Sequence, residues 1–225
     1  MDYRHELKFL VSEQELQIIG YRLRHLMQPD AHHEEGAYTI RSLYFDDLAD
    51  SCLQENEDGV DNRRKFRIRI YSGNDGVIKL EKKVKYRGMT RKFSEEISRE
   101  QCLAYMEGKA PELTQDSGSL QKELFAEMKM NAMRPASIVE YERTAYIEQK
   151  GNVRITFDRN ISGSMAFGSF LDQRISLSPS LPRGQHILEV KYDQFLPQYI
   201  GENLGTGMLQ QISFSKYYYS RNLLL

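Results

Sequence analysis

Charged side chains recur two residues apart in several extended segments of the chain, and most of them are basic. Lys65, Arg67 and Arg69 alternate with Phe66, Ile68 and Ile70. Lys79, Glu81, Lys83 and Lys85 alternate with Ile78, Leu80 and Val84. Arg4, Glu6 and Lys8 oppose His5, Leu7 and Phe9, while Arg154, Thr156 and Asp158 oppose Val153, Ile155 and Phe157. Glu189 and Lys191 oppose Leu188 and Val190, and Tyr141 shares a face with Arg143. Side chains two apart on a strand lie on one face. Like charges facing each other across a sheet destabilise it, so a face this basic calls for a polyanion. Its few acids could hold a divalent metal, which prefers carboxylate oxygens and bridges to phosphates.

The residues that could do other chemistry are sparse. His5, His25, His32, His33 and His186 are scattered. His32-His33 sits in an acidic loop and reads as surface, and the alternation of His5 with apolar residues reads as core. The only cysteines are Cys52 and Cys102, which make neither a disulfide framework nor a zinc site. No nucleophile is paired with a base at a recognisable spacing.

The elements that must carry the charged face are mostly strands. Alternation marks them at Arg4–Leu10, Tyr38–Phe45, Lys65–Tyr71, Val77–Lys85, Arg91–Ile97, Ile138–Glu148, Val153–Asp158, Arg174–Leu177 and His186–Tyr192. Hairpin turns are expected at Ser72–Gly76 and Lys150–Asn152. Ser12-Glu13-Gln14-Glu15 and Ser98-Arg99-Glu100-Gln101 are capping boxes that open helices, the first with Val11 and Leu16 as its hydrophobic staple. A third helix is expected over Ser119–Met133, before Pro135, and a last one within Leu204–Leu225. Eight or so mostly sequential strands with intervening helices predict an α+β fold, an antiparallel β-barrel or strongly curved sheet dressed by helices, forming one domain over 1–225. With the charged face inward, such a barrel is a basic, metal-binding tunnel.

At 225 residues the chain is long enough for a substantial core, and its 31 Lys+Arg nearly balance 32 Asp+Glu. That near-neutral total conceals segregation. Arg63–Lys92 holds twelve bases and two acids, whereas Asp46–Asp61 holds seven acids and no base. The charge pattern therefore implies a basic interior and an acidic exterior. No apolar run approaches the roughly 18 residues of a membrane span, and no signal peptide is visible, so a cytoplasmic location is expected. A stacking platform of interleaved aromatics is missing from the basic segments, which argues against a nucleic-acid partner.

Eight segments, in order, resemble one family. They are Tyr3-Arg4-His5-Glu6-Leu7-Lys8-Phe9, Arg41-Ser42-Leu43-Tyr44-Phe45-Asp46, Lys65-Phe66-Arg67-Ile68-Arg69-Ile70-Tyr71, Leu80-Glu81-Lys82-Lys83, Tyr141-Glu142-Arg143-Thr144-Ala145-Tyr146, Val153-Arg154-Ile155-Thr156-Phe157-Asp158, Leu188-Glu189-Val190-Lys191 and Phe214-Ser215-Lys216-Tyr217. Together they resemble the VTC domain, the polyphosphate polymerase module of the triphosphate tunnel metalloenzyme superfamily, which also contains the CYTH-like domains. The resemblance implies a closed eight-stranded antiparallel β-barrel with flanking helices, a tunnel in which Lys8, Arg67, Arg69, Lys83, Arg143, Arg154, Lys191 and Lys216 form a phosphate-binding wall. Lys92 or Arg91 is implied as a further contact, with the register between them open. Glu189 is implied as the main ligand of Mn²⁺ or Mg²⁺, with Glu6, Glu81 and Asp158 as secondary ligands or as partners that orient the bases.

Hydrolytic CYTH-type members open with Glu-x-Glu-x-Lys, whereas Arg4 here replaces the first acid. Fewer carboxylates leave less to bind metal and position a water. The expected activity is accordingly a metal-dependent phosphotransferase, a polyphosphate polymerase. It would pass the terminal phosphoryl group of ATP to a growing inorganic polyphosphate chain, with Arg67, Arg69, Lys83, Arg143, Arg154 and Lys191 as its catalytic cations. Pyrophosphate and triphosphate are the related ligands, and a membrane-protein partner could accept the product. The alternatives are a CYTH-like hydrolase of inorganic or nucleoside triphosphates and a non-catalytic polyphosphate-binding module.

Overall fold

The strands that alternate most regularly in sequence become the longest strands of the fold. The computed structural model describes residues 3–30 and 36–223. His32-His33 and the final residues of the expected C-terminal helix therefore lie outside the described residues. The elements run β1 (His5–Ser12), α1 (Glu13–Leu23), β2 (Gln28–Pro29), β3 (Tyr38–Asp46), α2 (Ser51–Glu57), β4 (Arg63–Tyr71), β5 (Asn74–Tyr86) and β6 (Met89–Ile97). They continue with α3 (Arg99–Met106), α4 (Ser119–Met130), β7 (Arg134–Glu148), β8 (Val153–Ser164), β9 (Ser178–Pro179), β10 (Gln185–Tyr192), α5 (Gln198–Leu204), β11 (Gln210–Gln211) and α6 (Lys216–Asn222). Both capping boxes form, on Ser12 with Glu15 and on Ser98 with Gln101.

The strands build one antiparallel sheet in the order β11-β1-β10-β8-β7-β3-β4-β5-β6, with β2 on β7 and β9 on β8. Eleven strands replace the expected eight, and three of them are two residues long. The sheet is not the closed barrel expected. Among the described residues its β1 and β6 sides share backbone pairing only at an isolated Arg4–Thr90 bridge, whose two hydrogen bonds are 3.0 and 3.1 Å. The physical reason is competition for one edge. β11 pairs with Phe9 and Leu10 on the outer edge of β1, and Ile212 N donates to Lys8 O, so only the tip of β1 is left for β6. Arg174–Leu177, expected as a strand, is irregular, and pairing begins only at Ser178.

Period-two patterning sends the two faces of the sheet to different environments. Phe66, Ile68, Ile70 and Leu80 pack outward against Leu120 and Leu124 of α4 and Tyr105 of α3. On the other side of the molecule Phe9, Val11, Ile155, Phe157, Leu188 and Val190 bury Leu16, Ile19 and Leu23 of α1, with Ile200 and Leu204 of α5. A third cluster joins Tyr44, Val139, Tyr141 and Ile161 to Phe214 and to Tyr217 of α6. Tyr217 donates from its hydroxyl to Asp46 Oδ2 at 2.5 Å, and Asp46 in turn accepts from Cys52 N and Leu53 N at the start of α2. His5 is exposed and stacked on Tyr192, because it lies at the strand tip beyond the α1 core; it is not the core residue expected. Among the described residues no helix is long and apolar enough to cross a membrane.

Candidate functional site: a basic lumen with paired carboxylates

Cross-strand register places the predicted charged residues beside one another. Glu6 lies opposite Lys191 and Lys8 opposite Glu189 on β1–β10, and Lys191 lies opposite Arg154 on β10–β8. Asp158 lies opposite Arg143 on β8–β7, Arg67 opposite Glu81 on β4–β5, and Lys83 opposite Lys92 on β5–β6. The concave face of the curled sheet collects them into a lumen. Its two flanks approach across the β1–β6 seam, where Lys83 Nζ lies 3.0 Å from both oxygens of Glu6.

Each interior carboxylate is shared by at least two bases. Glu81, fully buried, accepts from Arg67 Nε at 2.8 Å and Lys92 Nζ at 2.9 Å, with Arg69 at 3.6 Å. Asp158, also fully buried, accepts two bonds from Arg143 at 2.6 and 2.7 Å and lies 2.6 Å from Lys216 Nζ. Glu6 holds Lys8 at 3.1 Å besides Lys83. Glu189 holds Lys191 at 3.3 Å, Arg143 at 3.4 Å and Lys8 at 3.9 Å. Burial alone would push these carboxyls up. The neighbouring cations overcome it, holding Glu6 down at about 2 and Glu81, Asp158 and Glu189 below the usual carboxylate range.

The bases outnumber the acids. Lys8, Arg67, Arg69, Lys83, Lys92, Arg143, Lys191 and Lys216 share Glu6, Glu81, Asp158 and Glu189, while Lys65 has no carboxylate partner within 4.0 Å among the described residues. Lys65 approaches Asn56 Oδ1 and Ser215 Oγ at 3.4 Å and the Tyr217 ring at 4.9 Å. Burial pulls Lys65 and Lys191 down to about 8, against the opposing pull of their neighbours' negative charge. Under-compensated cations that are half-buried or buried are costly, and an anion supplied from outside relieves that cost.

The structure also separates residues that the sequence left together. Lys92 reaches Glu81 in the lumen, whereas Arg91 lies over the Phe93 ring, 4.7 Å from its centroid, on the outer face. Arg154 stands at the rim, pinned by Asp30 and by the Tyr38 hydroxyl at 3.2 Å. Several lining groups lay outside the predicted set. Tyr44 accepts from Arg67 at 2.9 Å, while Ser42 and the Tyr141 hydroxyl accept from Arg69 at 3.2 and 3.3 Å. Tyrosine at alternating positions reads as core in sequence, and here it is core at one end and guanidinium acceptor at the other.

The four predicted metal ligands differ in what they can do. Glu81 and Asp158 are already engaged by guanidinium and ammonium donors. Glu6 and Glu189 converge on Lys8, at 3.1 and 3.9 Å from its Nζ. Among the described residues no three His, Cys, Asp or Glu side chains form a ready-made metal cage. Two adjacent carboxylates fit a hard cation such as Mg²⁺ or Mn²⁺ that takes its remaining ligands from phosphate and water.

Comparison with known proteins agrees with this architecture. No curated protein matches the chain. Among solved structures, an adenylyl cyclase homologue from Hippeastrum, described as having a dominant triphosphatase activity, superposes with a TM-score of 0.55 at 13% identity, covering 99% of this chain and 96% of that one. An adenylate cyclase homologue from Bacillus halodurans superposes with a TM-score of 0.55 at 15% identity, covering 95% of this chain and 94% of that one. At these identities the likeness is one of fold. The VTC domain model matches residues 3–225, and the chain belongs to the VTC domain family.

Proposed function

We propose that the protein is a polyphosphate polymerase that moves the terminal phosphoryl group of ATP onto an inorganic polyphosphate chain within the lumen. The observation that carries this reading is the excess of bases over carboxylates on the concave face, nine against four among the described residues. Phosphoryl transfer needs charge neutralisation and in-line positioning more than covalent help. Arg67, Arg69, Arg143 and Lys216 are held rigid by Glu81 and Asp158, so their free N–H groups meet phosphate oxygens already oriented. A terminal phosphate oxygen of the acceptor chain attacks Pγ of ATP, the bond from Pγ to the β-phosphate oxygen breaks, and ADP leaves. The attacking oxygen is already ionised and needs no general base. A divalent cation on Glu6 and Glu189 would neutralise charge on the transferring phosphates. Cys52 and Cys102, free and buried, accord with a cytoplasmic setting.

Purified protein incubated with ATP and Mn²⁺ should yield long phosphate chains on a gel, and Arg67→Ala should lose them along with triphosphate binding. Orthophosphate without chains would instead favour a triphosphate hydrolase, the activity described for the Hippeastrum fold neighbour. Tight polyphosphate binding without ATP turnover under either metal would mark a binding module.

A further inference from the structure

The strand order ends at β6, and most of that strand's outer edge is bare. A tight hairpin through Arg87 and Gly88, both at positive φ, joins Tyr86 to Met89. From that turn the backbone groups of Met89, Arg91, Phe93, Glu95 and Ile97 face β5, and those of the residues between them face away. Thr90 shows the direction: its N–H donates to the Arg4 carbonyl at 3.1 Å, and its carbonyl accepts from Arg4 N at 3.0 Å. Lys92, Ser94 and Glu96 follow at the same spacing. Among the described residues nothing pairs with their outward N–H and carbonyl groups. All three are exposed, whereas Phe93 and Glu95 are half-buried and Ile97 is buried.

Natural sheets blunt such an edge with proline, a bulge, a charge or a covering element. β6 has no proline and keeps an unbroken register with β5. Glu95 ties α4 to its outer face by accepting from Leu120 N at 2.9 Å, which leaves the edge itself open. The charges on the edge are of opposite sign and stand symmetrically, Lys92 and Glu96 on either side of Ser94.

We propose that this edge pairs with the same edge of a second copy of the chain, antiparallel about a two-fold axis at Ser94. Lys92 then faces the partner's Glu96, Glu96 faces the partner's Lys92, and Ser94 faces the partner's Ser94. Residues paired in this way exchange both backbone hydrogen bonds, and opposite charges across the ladder add to them. Lys92 already holds Glu81 at 2.9 Å, and its ammonium has donors left for a second carboxylate. The register is fixed by what lies at each end. A slip of two residues would need either Thr90, engaged by Arg4, or Ser98, whose N–H and carbonyl serve Gln101 and Cys102 of α3. The contact is isologous and closes at two copies, joining the two sheets into one.

Sedimentation equilibrium of the full chain over a concentration series tests it, and the wild type should pass from monomer to dimer mass. Ser94→Pro removes an outward N–H and no bond to β5, so it should weaken the dimer by about tenfold or more while the ladder to β5 stays. Glu96→Lys sets like charges opposite each other at both ends and should weaken it by about as much. Glu112→Lys makes the same change of charge at an exposed loop position and should leave dimerisation within twofold. Deuterium exchange gives an independent reading, since the Lys92 and Glu96 amides of the wild type should gain protection as concentration rises. A wild type that stays monomeric throughout overturns the proposal. A dimer that neither Ser94→Pro nor Glu96→Lys weakens overturns it as well, and would place the contact on another face.

Discussion

Lys191 is the residue whose chemistry is most exposed to conditions. Burial pulls its ammonium down to about 8, and Glu189 and Glu6 offset only part of that. In the free lumen it therefore loses its proton as pH rises from about 7 to about 9, and a neutral amine gives up its charge-assisted contact. Triphosphate affinity should fall over that range by roughly tenfold or more, the value of one such contact at about 1.5–3 kcal/mol. Lys191→Arg stays protonated throughout, so its profile should be flatter than that of wild type when both are titrated calorimetrically. Parallel profiles would exclude Lys191 as the titrating group. At this scale the sequence was informative where charge alternates with apolar residues. It was silent on Tyr44 and Ser42, because their acceptor role depends on Arg67 and Arg69 arriving from a neighbouring strand.

Among the elements, α6 matters most, since its first residue is Lys216 and its second, Tyr217, is anchored to Asp46. The helix sits close to β8 because residue 163 is glycine. A Cβ there would come within 2.8 Å of Ser220 Cβ and 3.3 Å of its Cα. Gly163→Ala should push α6 away, cost roughly 1–3 kcal/mol by overpacking and weaken triphosphate binding by disturbing the Lys216–Asp158 pair. Gly207→Ala, with nothing within 4 Å of the added Cβ, should do neither. Thermal melts and calorimetry on the two variants check this. The capping boxes made α1 and α3 legible, whereas α2 went unrecognised. Its seven residues lie in the acidic run, bury only Cys52 and Leu53, and follow a left-handed Asp50 with no side-chain cap. Two-residue strands such as β11 carry no periodicity and are set by the edge they meet.

For the whole molecule, the interior carboxylates link stability to acid. Each is held below its ordinary value, so each adds stability that is fully present above its unfolded pKa, about 4.3 for the glutamates and about 3.9 for Asp158. That stability is lost as pH falls through the folded values, the window running from about pH 5 towards 2, where Glu6 titrates. The melting temperature should decline across that window, and bound polyphosphate should lessen the decline by taking over the exposed cations. A melt that is flat from pH 5 to 3 would contradict this. The curled sheet with an inward basic face follows from alternation that the sequence shows plainly. The open seam does not, because edge competition between β11 and β6 is settled only once the chain has folded.

That seam makes the ligand part of the architecture. Among the described residues one bridge, the Lys83–Glu6 pair and the Tyr3–Tyr86 ring contact hold the two margins together, so this is where the fold opens at least cost, and the Arg4 and Thr90 amides should exchange with deuterium ahead of the central ladders. A phosphate chain touching Lys83 on one margin and Lys191 on the other would act as the missing fastener. At a hundred times its dissociation constant, a ligand adds about 2.7 kcal/mol to the closed form. Exchange at the seam should slow by a corresponding factor of about a hundred, so that a bound phosphate chain would complete the barrel.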